Sequence, residues 1–320
     1  MIGGLITKTV DIIVPCYNEE EVLNLFYTET EKIASSIEGY AFTYIFVDDG
    51  SKDNTLMTIL SLAKENNNVK YISFSRNFGK EAAMYAGLQS STGDYVIIMD
   101  ADLQHPPALF PAMIKSVEAG HDCCAARRTT RKGEAPIRSM FSRMFYKLNN
   151  KICDVDLVQG AVDYRIMTRQ MVNAILELSE VQRFSKGIFS WVGFDTEWIP
   201  YENVERPIGT TKWSFTGLFK YAVDGITAFS ITPLRMVTGM GFFISTFAFI
   251  YIIITLIQTF VYGIDVPGYV TTLSAVLFLG GIIEFSLGIL GEYIAHIYME
   301  AKDRPIYITK TTNIDRKDTK

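Results

Sequence analysis

The chain has 320 residues, enough for about two domains, and 48% of them are hydrophobic while 20% are charged. Its net charge of −5 argues against nucleic acid as a partner, because nucleic-acid-binding domains are usually basic. The apolar residues concentrate after Arg235, so the chain divides into a mixed N-terminal part and an apolar C-terminal part.

The N-terminal part alternates apolar runs with segments of helical periodicity. It starts without the basic region, long apolar core and cleavage site of a signal peptide, so we expect it to stay in the cytoplasm. Apolar runs predict strands at residues 10–15, 43–47, 69–74 and 95–99. Helical spacing predicts helices at residues 20–37, 54–65 and 80–90. This alternation predicts an α/β fold with a mainly parallel sheet and helices on both faces.

The alternation continues less regularly after Pro107. Helices are predicted at residues 109–119, 136–150, 170–178 and 184–192, and strands at residues 122–126, 162–167 and 195–200. Cys123 and Cys124 lie in an apolar run, and the four cysteines show no metal-ligand spacing. This usage predicts buried thiols in a reducing compartment.

Asp100 and Asp102 directly follow a strand that is predicted to be buried on both faces. In an open parallel sheet, ligands bind at the carboxyl ends of the strands. Neighbouring carboxylates repel each other unless a cation lies between them or they accept several hydrogen bonds. A hard divalent ion, Mg²⁺ or Mn²⁺, completed by a substrate phosphate, fits this pattern. The alternative is a solvated Asp-rich turn or a helix cap before Pro106.

Polar clusters also follow two earlier strands, at residues 17–19 and 48–49. No glycine motif of a dinucleotide site opens a helix, and no P-loop sequence occurs. Basic residues accompany the acidic clusters, and acids that hold a metal, surrounded by cations, suit a diphosphate. These basic residues, each with a solvated surface position as its alternative, are Arg76, Lys80, Arg127, Arg128, Arg131, Arg138, Lys186, Arg206 and Lys212.

Two long apolar segments follow. Residues 236–262 contain no charged side chain and residues 269–291 contain only Glu284, so each is long enough to cross a bilayer as a helix. Basic residues before the first segment and after the second predict that both ends of this hairpin are cytoplasmic. Glu284 is costly at membrane depth, so it either pairs across a helix contact in a homo-oligomer or lies near an interface.

These patterns divide the chain into four parts. A cytoplasmic α/β domain covers residues 1–213, a juxtamembrane helix covers residues 214–234, the two transmembrane helices lie within residues 235–295, and a cytoplasmic tail covers residues 296–320. The juxtamembrane segment is amphipathic, so we expect it to lie in the membrane interface, with an ordinary packed surface helix as the alternative.

Several motifs resemble a known family. VPCYNEEE at 14–21, VDDGSKDNT at 47–55, RNFGKEAA at 76–83 and DADLQHPP at 100–107 resemble inverting glycosyltransferases of family two, whose nucleotide-sugar domain has the Rossmann-like GT-A fold. DYRIM at 163–167, RFSKG at 183–187, RPIGTTKW at 206–213 and GEYI at 291–294 resemble the polyprenyl-phosphate glycosyltransferases, which include dolichyl-phosphate mannose synthases and bactoprenol glucosyltransferases.

The resemblance implies a role for each matching residue. Nucleotide-sugar binding falls to Pro15, Tyr17, Asn18, Glu19, Val47, Asp49, Arg76, Lys80, Asp100, Ala101, Lys186, Arg206 and Lys212. Asp100, Asp102 and Gln104 are the implied ligands of Mg²⁺ or Mn²⁺. Arg127, Arg138 and Ser142 are the implied ligands of a lipid phosphate, and Asp102, Asp163 and Arg127 are the implied catalytic residues. We assign no chemistry to His105 and expect it to make a local hydrogen bond.

The implied reaction is a single in-line displacement. A phosphate oxygen of undecaprenyl phosphate attacks the anomeric carbon of a nucleotide-sugar, with UDP-glucose as the expected donor, at the cytoplasmic face of a bacterial plasma membrane. Asp163 either orients the acceptor or acts as a weak base, and the alternative is a structural ion pair with Arg165 or another cation. Two other functions stay open. A processive polysaccharide synthase would have more membrane helices and a Gln-x-x-Arg-Trp motif, and a membrane-anchored nucleotide-sugar sensor would be expected to lose part of the acidic site.

Overall fold

The computed structural model describes residues 7–129, 149–153, 155–202, 223, 225–262 and 268–315. Its strands are β1 (Lys8–Cys16), β2 (Tyr40–Asp48), β3 (Val69–Phe74), β4 (Tyr95–Ile98), β5 (Cys123–Arg128), β6 (Ala161–Thr168), β7 (Thr196–Tyr201) and β8 (Thr309–Thr312). Its helices are α1 (Leu23–Ala34), α2 (Thr55–Glu65), α3 (Lys80–Ser90), α4 (Phe110–Glu118), α5 (Arg169–Glu177), α6 (Ser185–Trp191), α7 (Thr232–Tyr262) and α8 (Tyr269–Ala301).

The strands form one sheet in the order β7-β5-β6-β4-β1-β2-β3-β8. Strand β1 pairs in parallel with β2 and β4, β2 pairs in parallel with β3, and β5 pairs in parallel with β7. Strand β6 is antiparallel to both β4 and β5, and β8 is antiparallel to β3. The predicted α/β class with a mainly parallel sheet is confirmed, and the antiparallel insertion of β6 beside β4 is a feature that the alternating pattern did not show.

Helices cover both faces of this sheet. All four residues of β4 are buried, as its unbroken apolar run predicted. Helices α1, α2 and α4 pack on one face, and α3, α5 and α6 pack on the other. Helix α3 lies especially close to β1, because a Cβ atom at Gly87 would come within 2.3 Å of the Ile13 side chain. This packing holds the start of α3 at the edge where the parallel strands end.

Helices α1 and α8 differ from their predicted bounds for physical reasons. Helix α1 begins at Leu23 rather than at residue 20, because the preceding residues form a turn in which the Glu19 carbonyl accepts the N–H of Val22. Helix α8 continues to Ala301, ten residues beyond the apolar segment that predicted it. The apolar pattern that predicts a membrane helix ends where polar residues appear. The backbone hydrogen bonds of the helix continue through those residues.

The two C-terminal helices are long and apolar enough to cross a bilayer. Their candidate spans are Thr232–Thr255 and Phe278–Ala301, and neither is buried against the rest of the protein. Large exposed side chains such as Phe242, Phe247 and Phe260 cover α7. An apolar surface of this extent indicates contact with a membrane or another protein. Residues 214–222 and 224 of the predicted juxtamembrane helix lie outside the described residues.

The segment after α8 returns to the sheet. Strand β8 covers the edge of β3, where an exposed strand would otherwise leave its backbone groups unpaired. The Tyr307 ring stacks on Phe74 at 4.8 Å, and its hydroxyl donates to Gln89 Oε1 at 2.8 Å. Residues 309–312, which fall within the predicted tail, are therefore part of the same sheet as the N-terminal strands.

Candidate active site

The loops that follow β1, β2 and β4 meet at one edge of the sheet, because these strands are parallel and adjacent. Ile13 of β1 lies beside Ile98 of β4, and Pro15 lies beside Val47 of β2. Ten residues with predicted roles therefore come together here from distant parts of the sequence. They are Pro15, Tyr17, Asn18, Glu19, Val47, Asp49, Asp100, Ala101, Asp102 and Gln104.

Asn18 connects the loop after β1 to the loop after β2. Its φ angle is 54°, in the left-handed region that Asn adopts more readily than most residues. Its backbone N–H donates to Ser51 Oγ at 3.0 Å, and its side-chain oxygen accepts the N–H of Lys52 at 2.8 Å. The N–H of Glu19 donates to Thr55 Oγ1 at 2.8 Å. These bonds set the position of the loop that contains Tyr17.

Asp49 connects the second loop to the start of α3. Its two carboxylate oxygens accept the N–H groups of Phe78 at 2.6 Å and Gly79 at 2.9 Å. Burial, with a smaller contribution from the charge of Asp48, raises the pKa of Asp49 to about 6. The neighbouring Asp48 accepts from Ser73 Oγ at 2.8 Å. The predicted nucleoside ligand Asp49 is therefore already fixed by the protein backbone.

Lys80, the first residue of α3, lies between two carboxylates. Its ammonium nitrogen is 2.7 Å from Asp100 Oδ1 and 2.7 Å from Asp163 Oδ2. Asp100 follows β4 and Asp163 lies in β6, so the antiparallel pairing of these strands brings the two acids together. The side chain of Lys80 is 40% exposed, while those of Asp100 and Asp163 are 26% and 16% exposed. The sequence predicted Lys80 as a nucleotide-sugar ligand, and the structure adds its pairing with both acids.

The pKa values of this cluster follow from its charges. Burial by itself raises the pKa of Asp100, but the charge of Lys80 and a bond from His105 outweigh it and hold the pKa below its ordinary value. Burial also opposes ionisation of Asp163, whose pKa is lowered overall by Lys80 and then by Lys186. Burial lowers the pKa of Lys80, and its two acidic partners raise it above the ordinary value. All three groups are therefore charged at neutral pH.

His105 is a site residue whose role the sequence did not predict. Its imidazole is buried, with Nδ1 at 2.9 Å from the Tyr201 hydroxyl and Nε2 at 3.6 Å from Asp100 Oδ2. Its ring stacks on Tyr164 at 5.4 Å. His105 thus contacts nearby Asp100, and it also bonds to Tyr201, which is 96 residues away in the sequence. In the sequence, the only signal for a role of His105 in the site is its position close to Asp100 and Asp102.

Residues 100–104 offer oxygen ligands for a divalent metal. Asp102 is 8% exposed, and its Oδ1 accepts the N–H of Gln104 at 3.1 Å. Leu103 between them has a φ of 56°, a strained conformation of the kind found at functional sites. Within the described ranges, no group of three His, Cys, Asp or Glu residues is arranged around a metal position. One or two carboxylates plus substrate phosphates suffice for Mg²⁺, so these residues fit a metal that binds together with a phosphate.

Besides Lys80, the structure describes four of the predicted basic residues, namely Arg76, Arg127, Arg128 and Lys186. Arg127 lies in β5, and its Nε donates to a backbone carbonyl at 3.0 Å. Lys186 lies in the first turn of α6, near enough for its charge to lower the pKa of Asp163. Arg76 is stacked over the Phe78 ring at 4.0 Å. Five predicted residues lie outside the described residues, namely Arg131, Arg138, Ser142, Arg206 and Lys212.

Two family models match the chain. Glycosyl transferase family 2 matches residues 11–176, which include every loop of the acidic edge. The GtrB C-terminal hairpin matches residues 232–297, which include α7 and most of α8. The two family models together thus cover the loops of the acidic edge and most of the two apolar helices.

Individual relatives match over nearly the whole chain. The protein CsbB of Bacillus subtilis (strain 168) is 50% identical over 309 residues, which cover 97% of this chain and 93% of CsbB. A bactoprenol glucosyl transferase of Shigella phage SfX is 40% identical over 302 residues, which cover 94% of this chain and 99% of that protein. Among solved structures, glucosyl-3-phosphoglycerate synthase from Mycobacterium tuberculosis gives a TM-score of 0.46 at 16% identity, over 71% of this chain and 82% of that one, a likeness too low to carry a conclusion.

Proposed function

This chain belongs to glycosyl transferase family 2 and has a GtrB C-terminal hairpin, and from this premise we propose that it transfers a hexose from a nucleotide-sugar to polyprenyl phosphate. One observation carries the proposal. Asp100 and Asp102 lie at the exit of β4, and Asp100 pairs with Lys80, which also pairs with Asp163, in a chain that continues into two long apolar helices. Such a site suits a soluble phosphate-bearing donor, and the helices suit a lipid acceptor.

The name of the phage relative supports the choice of acceptor and of transferred sugar. A bactoprenol glucosyl transferase that covers 94% of this chain favours a polyprenyl phosphate acceptor and a glucosyl group. We take UDP-glucose as the donor and undecaprenyl phosphate as the acceptor.

We place the reaction at the cytoplasmic face of the plasma membrane. The Thr232 hydroxyl at the start of α7 donates to the Ile152 carbonyl at 2.9 Å, and strand β8 after α8 pairs within the sheet that contains the acidic edge. These contacts support the placement of both ends of the hairpin on the side of the catalytic domain. Lys302, Arg304 and Lys310 follow α8, and basic residues mark the cytoplasmic side.

The chemistry is an inverting displacement. A phosphate oxygen of the lipid forms a bond to the anomeric carbon as the bond from that carbon to the donor diphosphate breaks, and the nucleoside diphosphate leaves. The acceptor is already an anion near neutral pH and needs little help from a base. A general base works best with a pKa near the working pH, and the pKa of Asp163 is lowered. We therefore assign Asp163 to orienting the acceptor.

Charge stabilisation supplies most of the rate in this proposal. We assign Lys80, Lys186 and Arg127 to offsetting the negative charge that develops on the departing diphosphate, because fixed charges of this kind are a large source of catalysis. Asp100, Asp102 and Gln104 are the residues that would hold Mg²⁺ or Mn²⁺, which when bound neutralises diphosphate charge further.

The test is a panel of radiolabelled nucleotide-sugars with the purified protein in detergent, undecaprenyl phosphate and Mg²⁺ or Mn²⁺. We expect label to move from UDP-glucose to the lipid, and nucleoside diphosphate to appear only when the lipid is present. A labelled polymer would indicate a processive synthase instead. Donor binding without turnover under every condition would indicate a sensor, and either result contradicts the proposal.

Arg138→Ala is expected to weaken use of the lipid far more than binding of the donor. The family resemblance assigns Arg138 to the lipid phosphate, and a lost hydrogen bond between charged groups costs about 1.5–3 kcal/mol, equivalent to roughly 10–100-fold in affinity. Separate titrations with UDP-glucose and with undecaprenyl phosphate measure the two effects. An equal loss for both ligands would contradict the assignment.

His105→Phe is expected to lower kcat about 10-fold, because Asp100 loses a polar neighbour that stabilises its charge. Phenylalanine keeps a ring that can stack on Tyr164, so the packing changes little. Tyr201→Phe removes the hydroxyl that bonds to the His105 imidazole. It should lower kcat by less than His105→Phe does. Unchanged initial rates in both variants would show that His105 only fills space.

A further inference from the structure

Helix α6, which carries Lys186, is held at its first turn by a carboxylate from another helix. Glu81 Oε2 accepts the backbone N–H of Ser185 at 3.0 Å and also the Ser185 hydroxyl. The residue before α6, Phe184, makes no side-chain capping bond. Helix N-termini leave backbone N–H groups without intrahelical acceptors, and here Glu81 supplies the acceptor that a capping side chain usually provides.

Glu81 is unusual because it is a partly buried acid beside the active site. It follows Lys80 in α3, so the residue that caps α6 is adjacent to the lysine that joins Asp100 to Asp163. Burial, and then the charge of Asp163, raise the pKa of Glu81 to about 7, while the bonds from Ser185 oppose the rise. A buried carboxylate is unfavourable unless hydrogen bonds compensate it. The bonds from Ser185 thus stabilise the ionised carboxylate of Glu81.

A second carboxylate holds the same segment from the membrane side. Glu300, in the last turn of α8, accepts the N–H of Val181 at 2.9 Å and the N–H of Gln182 at 3.2 Å. These residues lie three to four positions before the start of α6. The chain from 181 to 185 is therefore bonded at one end to the second apolar helix and at the other end to α3.

Close packing fixes the remaining side of α6. A Cβ atom at Gly187 would come within 2.4 Å of the Phe229 ring, so the helix and the segment before α7 are in direct contact. The Tyr293 hydroxyl of α8 donates to the carbonyl of Ser230 at 2.6 Å, which ties α8 to that segment. Helix α6 is thus held by the catalytic domain and by the hairpin together.

We propose that Glu81 and Glu300 are positioning residues that together place Lys186 beside Asp163 and the donor diphosphate. The inference rests on the proposed function, because it concerns how the site for that donor is assembled. Lysine is a point charge on a flexible stem, so the position of its backbone decides which atoms it reaches. A displacement of about 1 Å at an active site can cost on the order of 100-fold in rate.

A double-mutant cycle on the full chain in detergent tests the proposal. We expect Glu81→Ala and Lys186→Ala each to lower kcat/KM for UDP-glucose about 10–100-fold. Because Glu81 acts through Lys186, the double variant should lose no more than about 2-fold beyond Lys186→Ala alone. Glu300→Ala should show the same dependence on Lys186. Losses that multiply in either double variant would overturn the corresponding half of the proposal.

Matched variants separate positioning from folding. Glu81→Gln keeps an oxygen for the Ser185 N–H and should recover most of the lost kcat/KM. Where Glu81→Ala does not fold, Ser185→Ala, which removes only the hydroxyl bond, takes its place in the cycle. Lys302→Gln is the control at the end of α8, since the Lys302 ammonium lies 4.0 Å from the centre of the Tyr298 ring on the same helix, and it should leave kcat/KM unchanged.

A binding measurement keeps this test independent of the proposed function. If the wild-type protein transfers no sugar to the lipid, the proposed function fails, and the same cycle is then run on the dissociation constant for UDP-glucose. Non-additive losses in that constant still support the positioning role. Additive losses reject it.

Discussion

Asp102→Asn is expected to reduce sugar transfer about 10³-fold, because it removes one negative charge from the edge where the metal and the donor diphosphate bind. The substitution keeps the shape of the side chain. Asp102 is 8% exposed and accepts the Gln104 N–H at 3.1 Å, a bond that the amide oxygen of Asn can also accept. The fold should therefore survive while the reaction does not.

Initial rates of labelled lipid formation measure this loss, and a chelator added to the wild-type protein should reproduce it. Asp195→Asn is the control. Asp195 precedes β7 at the opposite end of that strand from Tyr201, is 67% exposed and pairs with His121 at 2.6 Å. Its substitution should leave the rate unchanged. Wild-type turnover in Asp102→Asn, or in the presence of the chelator, would reject the metal assignment.

Lys80→Ala is expected to lower both activity and stability. Two carboxylates, Asp100 and Asp163, lose the cation that lies 2.7 Å from each of them and then repel each other. Removing one partner of a buried ion pair costs about 3–5 kcal/mol, and partial exposure reduces this to about 1–3 kcal/mol here, since 40% of the Lys80 side chain is exposed. We expect kcat to fall about 100-fold, because a charge near the departing diphosphate is lost as well.

Thermal unfolding in detergent and initial rates separate the two effects of Lys80→Ala. Lys8→Ala provides the matched control, because the Lys8 side chain is 42% exposed and pairs with a carboxylate, that of Glu118, at 3.5 Å. That variant should change stability by less than about 1 kcal/mol and leave the rate unaltered. If Lys80→Ala behaves like Lys8→Ala, the Lys80 cluster is an ordinary surface ion pair.

The fold was predictable wherever the signal was local. The buried run that forms β4 and the helical spacing of residues 80–90 gave the correct elements, because side-chain periodicity follows from the geometry of a single strand or helix. Strand β8 was not predicted. Its four residues, Thr309–Thr312, carry no apolar run, and they form a strand only because the edge of β3 is available for pairing.

The site was predictable in its residue types but not in its contacts. The exit of β4 indicated a metal site, and the family resemblance indicated a role for Lys80. The bond between Lys80 and Asp163 joins residues 83 positions apart, and the bond between Glu81 and Ser185 joins residues 104 positions apart. No local pattern encodes which partner a charged side chain meets over such a separation.

The sequence by itself determined the α/β class, the acidic strand exits and the two apolar helices, because each depends on the order of side chains within one short segment. Only the tertiary structure decided that Lys80 joins Asp100 to Asp163, that His105 reaches Tyr201, and that the chain after α8 returns to the sheet. The physical reason is that these contacts depend on strand order and direction. The antiparallel β6 beside β4 and the antiparallel β8 beside β3 place distant residues together, and pairing between strands is set by the packing of the whole domain.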